Sequence, residues 1–377
     1  MRRIITYNDC MSGKYAHETP EWPQFQWDHL AFAQDLSSIH FRRGALLTAM
    51  ATLGFQVRQE TQLSVLVQDV VKSSEIEGER LDTLQVRSSI ARRLGLDYAG
   101  LPSPARDVEG VVEMMLDATQ RYQQPLTEER IFGWHAALFP TGRSGMHKIT
   151  VGAYRDDHAG PMQVVSGGMG KERVHFEAPS AGRVPSEMDR FLTWFETEEL
   201  DHVLKAALAH LWFVTIHPMD DGNGRIARAI TDMALARADG DKQRFYSMST
   251  QIHQDKTQYY EILEKTQRGD LDVTAWIVWF LNRLDAALTS AEGVLDIVRR
   301  RQAFWDNHAE DQLNERQTQV INRLFEGFFG KLQTAKYAKL TKCSTDTALR
   351  DLSDLVAKGI LVKEESGGRS TSYRLAN

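Results

Sequence analysis

Residues 202–216 narrow the fold more than any other stretch. Val203, Leu204, Ala206, Ala207, Leu208, Leu211, Trp212, Phe213, Val214 and Ile216 are apolar nearly all the way round a helical wheel. A helix with no polar face must be buried on most sides, so this one is expected to be the central element of a mainly α-helical domain. It delivers His217 at its end, and Pro-Met-Asp-Asp-Gly-Asn-Gly-Arg-Ile-Ala-Arg follows over 218–228. Backbone N–H groups at a Gly-rich helix N-terminus cradle phosphate, and arginines clamp further phosphate oxygens. An aspartate can hold Mg²⁺, and a histidine can take a proton from a hydroxyl.

The chain has 377 residues, 42% of them hydrophobic and 25% charged, with a net charge of −6. That suits two or three globular domains and gives no overall basic footprint for nucleic acid. Its two cysteines are Cys10 and Cys343, too few for a disulfide framework or a cysteine zinc site and in keeping with a reducing cytoplasm. The apolar start is too short for a signal peptide, and no apolar run approaches the ~18 residues of a membrane span. A cytoplasmic location with no membrane partner is the expectation.

Apolar spacings of three and four predict helices through 29–77, then over 82–98, 108–122, 127–138, 225–238, 255–268 and 272–304. Thr127 before two glutamates reads as an N-cap. Pro20, Trp22, Pro23, Phe25 and Trp27 predict an ordered arm within 1–28. Residues 140–185 are rich in glycine and hold two β-prone pieces, 163–165 and 173–176, which predict one small β-hairpin. Residues 313–377, with eleven basic and seven acidic residues, read as a separate winged helix-turn-helix. The expected organisation is an N-terminal helical region over 1–100, a core over 101–305 and the tail over 313–377.

Taken together, 217–228 resembles the signature of Fic domains, His-x-Phe-x-(Asp/Glu)-Gly-Asn-Gly-Arg-x-x-Arg. It departs at Met219, where the family has Phe; a flexible apolar side chain is expected to serve there. The resemblance extends over roughly 60–290. Within it, Ser73-x-x-x-Glu77-Gly78 matches the family's inhibitory motif, (Ser/Thr)-x-x-x-Glu-(Gly/Asn).

The resemblance implies a Fic-type helical bundle with a hairpin flap, and a protein adenylyltransferase that moves AMP from ATP to a Tyr, Thr or Ser hydroxyl of a protein target, itself included. His217 is then the general base and Asp221 the Mg²⁺ ligand. Gly222, Asn223 and Gly224 cradle phosphate, with Asn223 on the α-phosphate. Arg225 takes the β-phosphate and Arg228 the γ-phosphate. Tyr259 and Tyr260 lie beside adenosine. Val164, Val165, Val174, His175 and Phe176 form the flap that holds target backbone. Glu77, fastened by Ser73, occupies the γ-phosphate position by pairing with Arg228. A homodimer fits the family pattern. The alternatives are a DNA-binding regulator with a nucleotide-sensing core, removal of AMP, or transfer of another phosphate-linked group by the same residues. His210, seven before His217, reads as a core histidine.

Overall fold

The computed structural model describes residues 15–96, 99–158, 160–167, 173–325, 330–364 and 371–376. Cys10, with the rest of 1–14, and the 366–369 turn of the tail lie outside the described residues. The chain divides into two compact units, Met1–Ala291 and Glu292–Asn377. No helix among the described residues is long and apolar enough to cross a membrane.

The first unit is a helical bundle. In chain order it holds α1 (Ala33–Ala51), α2 (Phe55–Ile76), α3 (Thr83–Arg93), α4 (Arg106–Gln120) and α5 (Glu128–Leu138). Two antiparallel ribbons follow, β1 (Arg143–Ser144) with β2 (His147–Lys148), and β3 (Gln163–Ser166) with β4 (Arg173–Glu177). Then come α6 (Val184–Thr197), α7 (His202–Ile216), α8 (Asn223–Asp239), α9 (Met248–Gln254), α10 (Lys256–Gln267) and α11 (Thr274–Asn307), within which the unit boundary falls.

The all-apolar stretch is α7, and every residue from Val203 to Ile216 is buried. Asp201 caps its N-terminus by accepting from the amides of Val203 and Leu204 at 2.9 and 3.1 Å. It packs chiefly on α8, with α6 on another side, and the Trp276 indole of α11 donates to the carbonyl of Ala207 at 2.8 Å. His210 is fully buried between Thr231 and the Tyr259 hydroxyl, each 2.9 Å away. It is the satisfied core histidine its position predicts. Thr127 does cap α5, accepting from the amide of Arg130 at 3.2 Å. In the aromatic arm, Trp22 is buried against Trp212 and bonded to Glu187 at 2.9 Å.

Two elements were not anticipated, and one helix boundary needed correction. The ribbon β1–β2 was not anticipated, because two-residue strands are too short to show alternation. The expected helix over 255–268 is preceded by a separate helix, α9, capped by Ser247. Helix α8 starts at Asn223 rather than at 225, so Asn223 and Gly224 lie in its first turn.

A buried charge cluster ties α2 to α8. Asp69 on α2 and Asp232 on α8 are each 1% exposed, and Arg244, fully buried, bonds Asp232 at 3.0 Å. The Ser247 hydroxyl donates to Asp69 at 2.5 Å. Burial first, then the nearby Asp232 charge, push the Asp69 carboxyl up to about 8 from 3.8. In the unfolded chain that proton leaves near 3.8, whereas the fold keeps it. Stability is therefore full below about 3.8 and is lost as pH rises towards about 8. Asp69→Asn, which has no proton to lose, is expected to gain on the wild type across that window by more than about 1.4 kcal/mol, the worth of one pKa unit. Urea midpoints of the two proteins measured near pH 4 and near pH 8 check this; a constant gap between them would refute it.

The second unit carries α12 (Glu315–Phe325), β5 (Leu332–Gln333), α13 (Thr334–Thr341), α14 (Thr345–Ala357), β6 (Leu361–Lys363) and β7 (Ser372–Leu375). Its three strands form one antiparallel sheet in the order β5-β7-β6. Val320, Ile321, Tyr337, Leu352, Leu355 and Leu361 form its core.

Candidate active site

The turn from α7 into α8 builds the site. Pro218 cannot extend the helix, and His217 turns out of α7 in the left-handed region, φ 52 and ψ 56. Arg155, 3% exposed, braces this turn. Its Nε donates to the His217 carbonyl at 2.8 Å and its amide to the Pro218 carbonyl at 3.0 Å. A non-glycine residue in the left-handed region is strained, so an arginine bracing its carbonyl is a physical account of how the turn persists.

The half-buried His217 ring has its Nδ1 3.2 Å from the carbonyl of Val214. A carbonyl only accepts, so Nδ1 carries the proton and Nε2 has the lone pair. No hydrogen bond to Nε2 occurs among the described residues. Burial, with a smaller contribution from Arg155, outweighs the Val214 bond and holds the imidazole below 6.5. The ring is therefore neutral at pH 7 and able to accept a proton.

Two glycines shape the start of α8. Gly222 sits at φ 80 and ψ 2, and a Cβ there would come within 2.9 Å of the Phe139 ring. A Cβ on Gly224 would lie 2.2 Å from the Glu77 carboxylate. Glycine at 224 thus lets a carboxylate rest on the first turn of α8, where the helix dipole favours negative charge. The Asn223 side chain closes on the Met219 backbone, accepting from its N–H at 2.9 Å and donating to its carbonyl at 2.8 Å. It holds the loop's shape, with Met219 fully buried beneath.

Arg225 and Arg228 are 3% and 1% exposed. Arg228 Nε donates to the Ser73 hydroxyl at 2.8 Å, and Nη2 donates to the Ser73 carbonyl at 2.9 Å and to Glu77 at 2.8 Å. Arg225 Nη1 donates to Glu79 at 2.6 Å, and its guanidinium lies 5.0 Å from the centre of the Phe139 ring. Arg225 Nε and Arg228 Nη1 are buried with no hydrogen-bond partner among the described residues. Unanswered donors on buried cations at a helix N-terminus are what an anion of several oxygens would satisfy.

Asp221 stands beside them. One of its carboxylate oxygens accepts from the Gly222 amide at 2.5 Å, the other from the Ser144 hydroxyl. The His135 ring bonds its carbonyl at 3.1 Å. Asp220 holds the loop after β2 by accepting from the Thr150 amide at 2.7 Å.

On α10, Tyr259 is 2% exposed with its hydroxyl on His210, a core position; Tyr260, 40% exposed, is the accessible ring. Val164, Val165, Val174, His175 and Phe176 fall on β3–β4. Arg268 caps the carbonyls of Val174 and His175, both at 2.8 Å, and His17 bonds the carbonyl of Glu177 at 2.8 Å. Glu79, Ser144, His135 and Arg155 escaped the sequence reading. Only Glu79, two residues past the Glu77 motif, had a neighbour that could have drawn attention to it.

Residues 15–96 match a domain of unknown function, DUF4172, and residues 125–235 match the Fic/DOC family. The segment built around this site is thus similar to the Fic/DOC family. Protein adenylyltransferase Fic of Drosophila melanogaster is 28% identical over 241 residues, and that of Drosophila mojavensis 26% over 243. Both alignments take in 63% of this chain, which spans about four tenths of the length of these relatives (42% and 41%). A Fic family protein from Desulfovibrio desulfuricans has the same fold, with a TM-score of 0.52 at 20% identity, covering 92% of this chain and 96% of that one.

Proposed function

We propose that the chain is an autoinhibited protein adenylyltransferase. The observation that carries this reading is the pair of buried arginines on α8, each with a nitrogen that no group among the described residues answers, on the helix that follows the turn where His217 Nε2 is open. A polyphosphate fits the first feature, and a hydroxyl nucleophile fits the second.

In the proposed reaction, His217 Nε2 takes the proton of a Tyr, Thr or Ser hydroxyl. The oxygen attacks the α-phosphorus of ATP, the bond to the β-phosphate breaks, and its electron pair leaves on pyrophosphate. The α8 N-terminal amides and Arg225 stabilise charge gathering on the phosphoryl oxygens, and Arg228 holds the γ-phosphate end. The structure supports a structural role for the Asn223 side chain, so contact with the α-phosphate is better assigned to backbone amides. Mg²⁺ is commonly held by one carboxylate plus substrate phosphates. Asp221, with the Ser144 hydroxyl beside it, is an oxygen donor set that fits that ion. When bound, Mg²⁺ would neutralise phosphate charge.

Regulation follows from which anion the arginines hold. Glu77 on Arg228 and Ser73 beneath it stand where the γ-phosphate would go. Glu79 on Arg225 adds a second carboxylate, on the arginine that serves the leaving group. Its side chain is 45% exposed, so it is the weaker latch. Glu79→Ala alone is expected to raise AMP transfer by no more than about fivefold, the equivalent of ~1 kcal/mol. Initial rates against the wild type check this, and a fall in rate would mean that Glu79 helps rather than hinders.

The chemistry is tested with ATP labelled at either end, using the Glu77→Gly chain and a protein acceptor mixture. Label from the α-phosphate is expected in protein and label from the γ-phosphate is not. The reverse pattern would replace AMP transfer with phosphoryl transfer.

For the second unit we infer a winged helix-turn-helix, with α13 and α14 as the helix pair and the β6–β7 edge as the wing. Exposed Lys339, Lys342 and Arg350 lie on or beside that pair, which supports duplex DNA as a ligand. A mobility shift by the full chain that weakens with salt is expected. Its absence at low salt would leave the face to protein contacts.

A further inference from the structure

The flap holds a second constellation that the phosphate site does not use. Ser166 closes β3 and is exposed, and its hydroxyl lies 2.6 Å from Nε2 of His175 on β4. Nδ1 of the same ring lies 2.5 Å from the carboxylate of Glu264 on α10. Burial works against the Glu264 charge, but hydrogen bonds from His175 and Arg173 outweigh it and hold the carboxyl below its ordinary range. An ionised carboxylate only accepts, so Nδ1 carries its proton towards Glu264 and the Nε2 lone pair faces the serine O–H. A serine within hydrogen-bond reach of a histidine, oriented in turn by a carboxylate, is the arrangement that activates a hydroxyl as nucleophile.

Two neighbours say which electrophile suits it. Arg173 is paired directly across the ribbon from Ser166, so their Cβ atoms lie about 5 Å apart. It bonds Glu264 at 2.9 Å yet is 70% exposed and able to turn to an anion. Glu264 is also four residues beyond Tyr260 on α10, hence on the same helix face. The relay is thus anchored one helical turn from the exposed ring read above as an adenosine contact.

We propose that Ser166 is a self-modification site, the acceptor of AMP within this chain. This rests on the AMP-transfer reading of the α7–α8 site. Ser166 Oγ gives its proton to His175 Nε2, which stands in for the His217 that serves other targets, and bonds to the α-phosphorus of ATP. The bond to the β-phosphate breaks, its electrons leave on pyrophosphate, and the imidazolium, held by Glu264, returns its proton to solvent. The product is a phosphodiester at the end of β3, opposite the Arg173 guanidinium. An adenylylated flap end would obstruct strand addition by other targets.

The test incubates Glu77→Gly with ATP and Mg²⁺ and maps AMP by peptide mass spectrometry. An adduct on the peptide holding Ser166 is expected, lost in Glu77→Gly with Ser166→Ala and kept on that peptide with Ser166→Thr. His175→Gln is expected to slow this adduct by roughly 10²-fold, the loss of a general base, with calorimetric ATP binding retained. AMP found only on other residues, or label unchanged by Ser166→Ala, would overturn the proposal and leave the adenylyltransferase reading standing. Glu77→Gly that transfers AMP neither to itself nor to any added protein would overturn both.

Discussion

Glu77→Gly is expected to raise AMP transfer by roughly 10- to 100-fold, the equivalent of the ~1.5–3 kcal/mol carried by a charged hydrogen bond. The carboxylate bonds Arg228 at 2.8 Å and crowds Gly224, so any γ-phosphate must first displace it. Glycine is tolerated at 77, because the residue caps α2 outside the helix proper and is followed by a glycine already at φ 86. The same change has a stability signature. Without Glu77, Arg228 is a buried cation with fewer partners, and such breaks are strongly destabilising when burial is complete. Glu77 is 30% exposed, which moderates the loss. ATP should restore what the carboxylate supplied, so the variant is expected to melt lower than wild type alone and to gain more from ATP. Initial rates and melting with and without ATP read both effects. An unchanged rate would refute inhibition by Glu77 even if melting behaved as described.

His217→Ala in the Glu77→Gly background is expected to reduce transfer to added protein targets by roughly 10²–10⁴-fold, the usual worth of a positioned general base, while ATP still binds. The ring is held neutral by burial, and its open nitrogen is fixed by the Val214 bond. Activity of the Glu77→Gly chain should therefore fall on acidification, with a midpoint below 6.5, because only the neutral ring accepts a proton. A double variant as fast as the single one would remove the histidine from the chemistry. A midpoint above 6.5 would contradict the burial that lowers it.

The parts of the site legible in the sequence share a property: their geometry is local. Ser73 and Glu77 reach one arginine because residues four apart share a helix face. His217 and the α8 glycines adjoin because one turn joins α7 to α8. Tyr259 and Tyr260 are adjacent in sequence, yet one is core and the other exposed, since successive helical residues point about 100° apart. That division was beyond the sequence because it depends on which face His210 and Trp279 claim.

By itself the sequence determined a helical domain built on an unbroken apolar segment, the acid–glycine–arginine turn at its mouth, a hairpin between helices and a separable basic tail. Periodicities of 3.6 and 2, and turns confined to a dozen residues, carry that information along the chain. Tertiary structure alone decided which side chains meet across it. Glu79 finds Arg225 over 146 residues, Ser144 finds Asp221 over 77, and His175 finds Glu264 over 89. Such pairs have no period. Packing of α2, α8, α10 and the two ribbons, rather than spacing along the chain, sets which charges face one another.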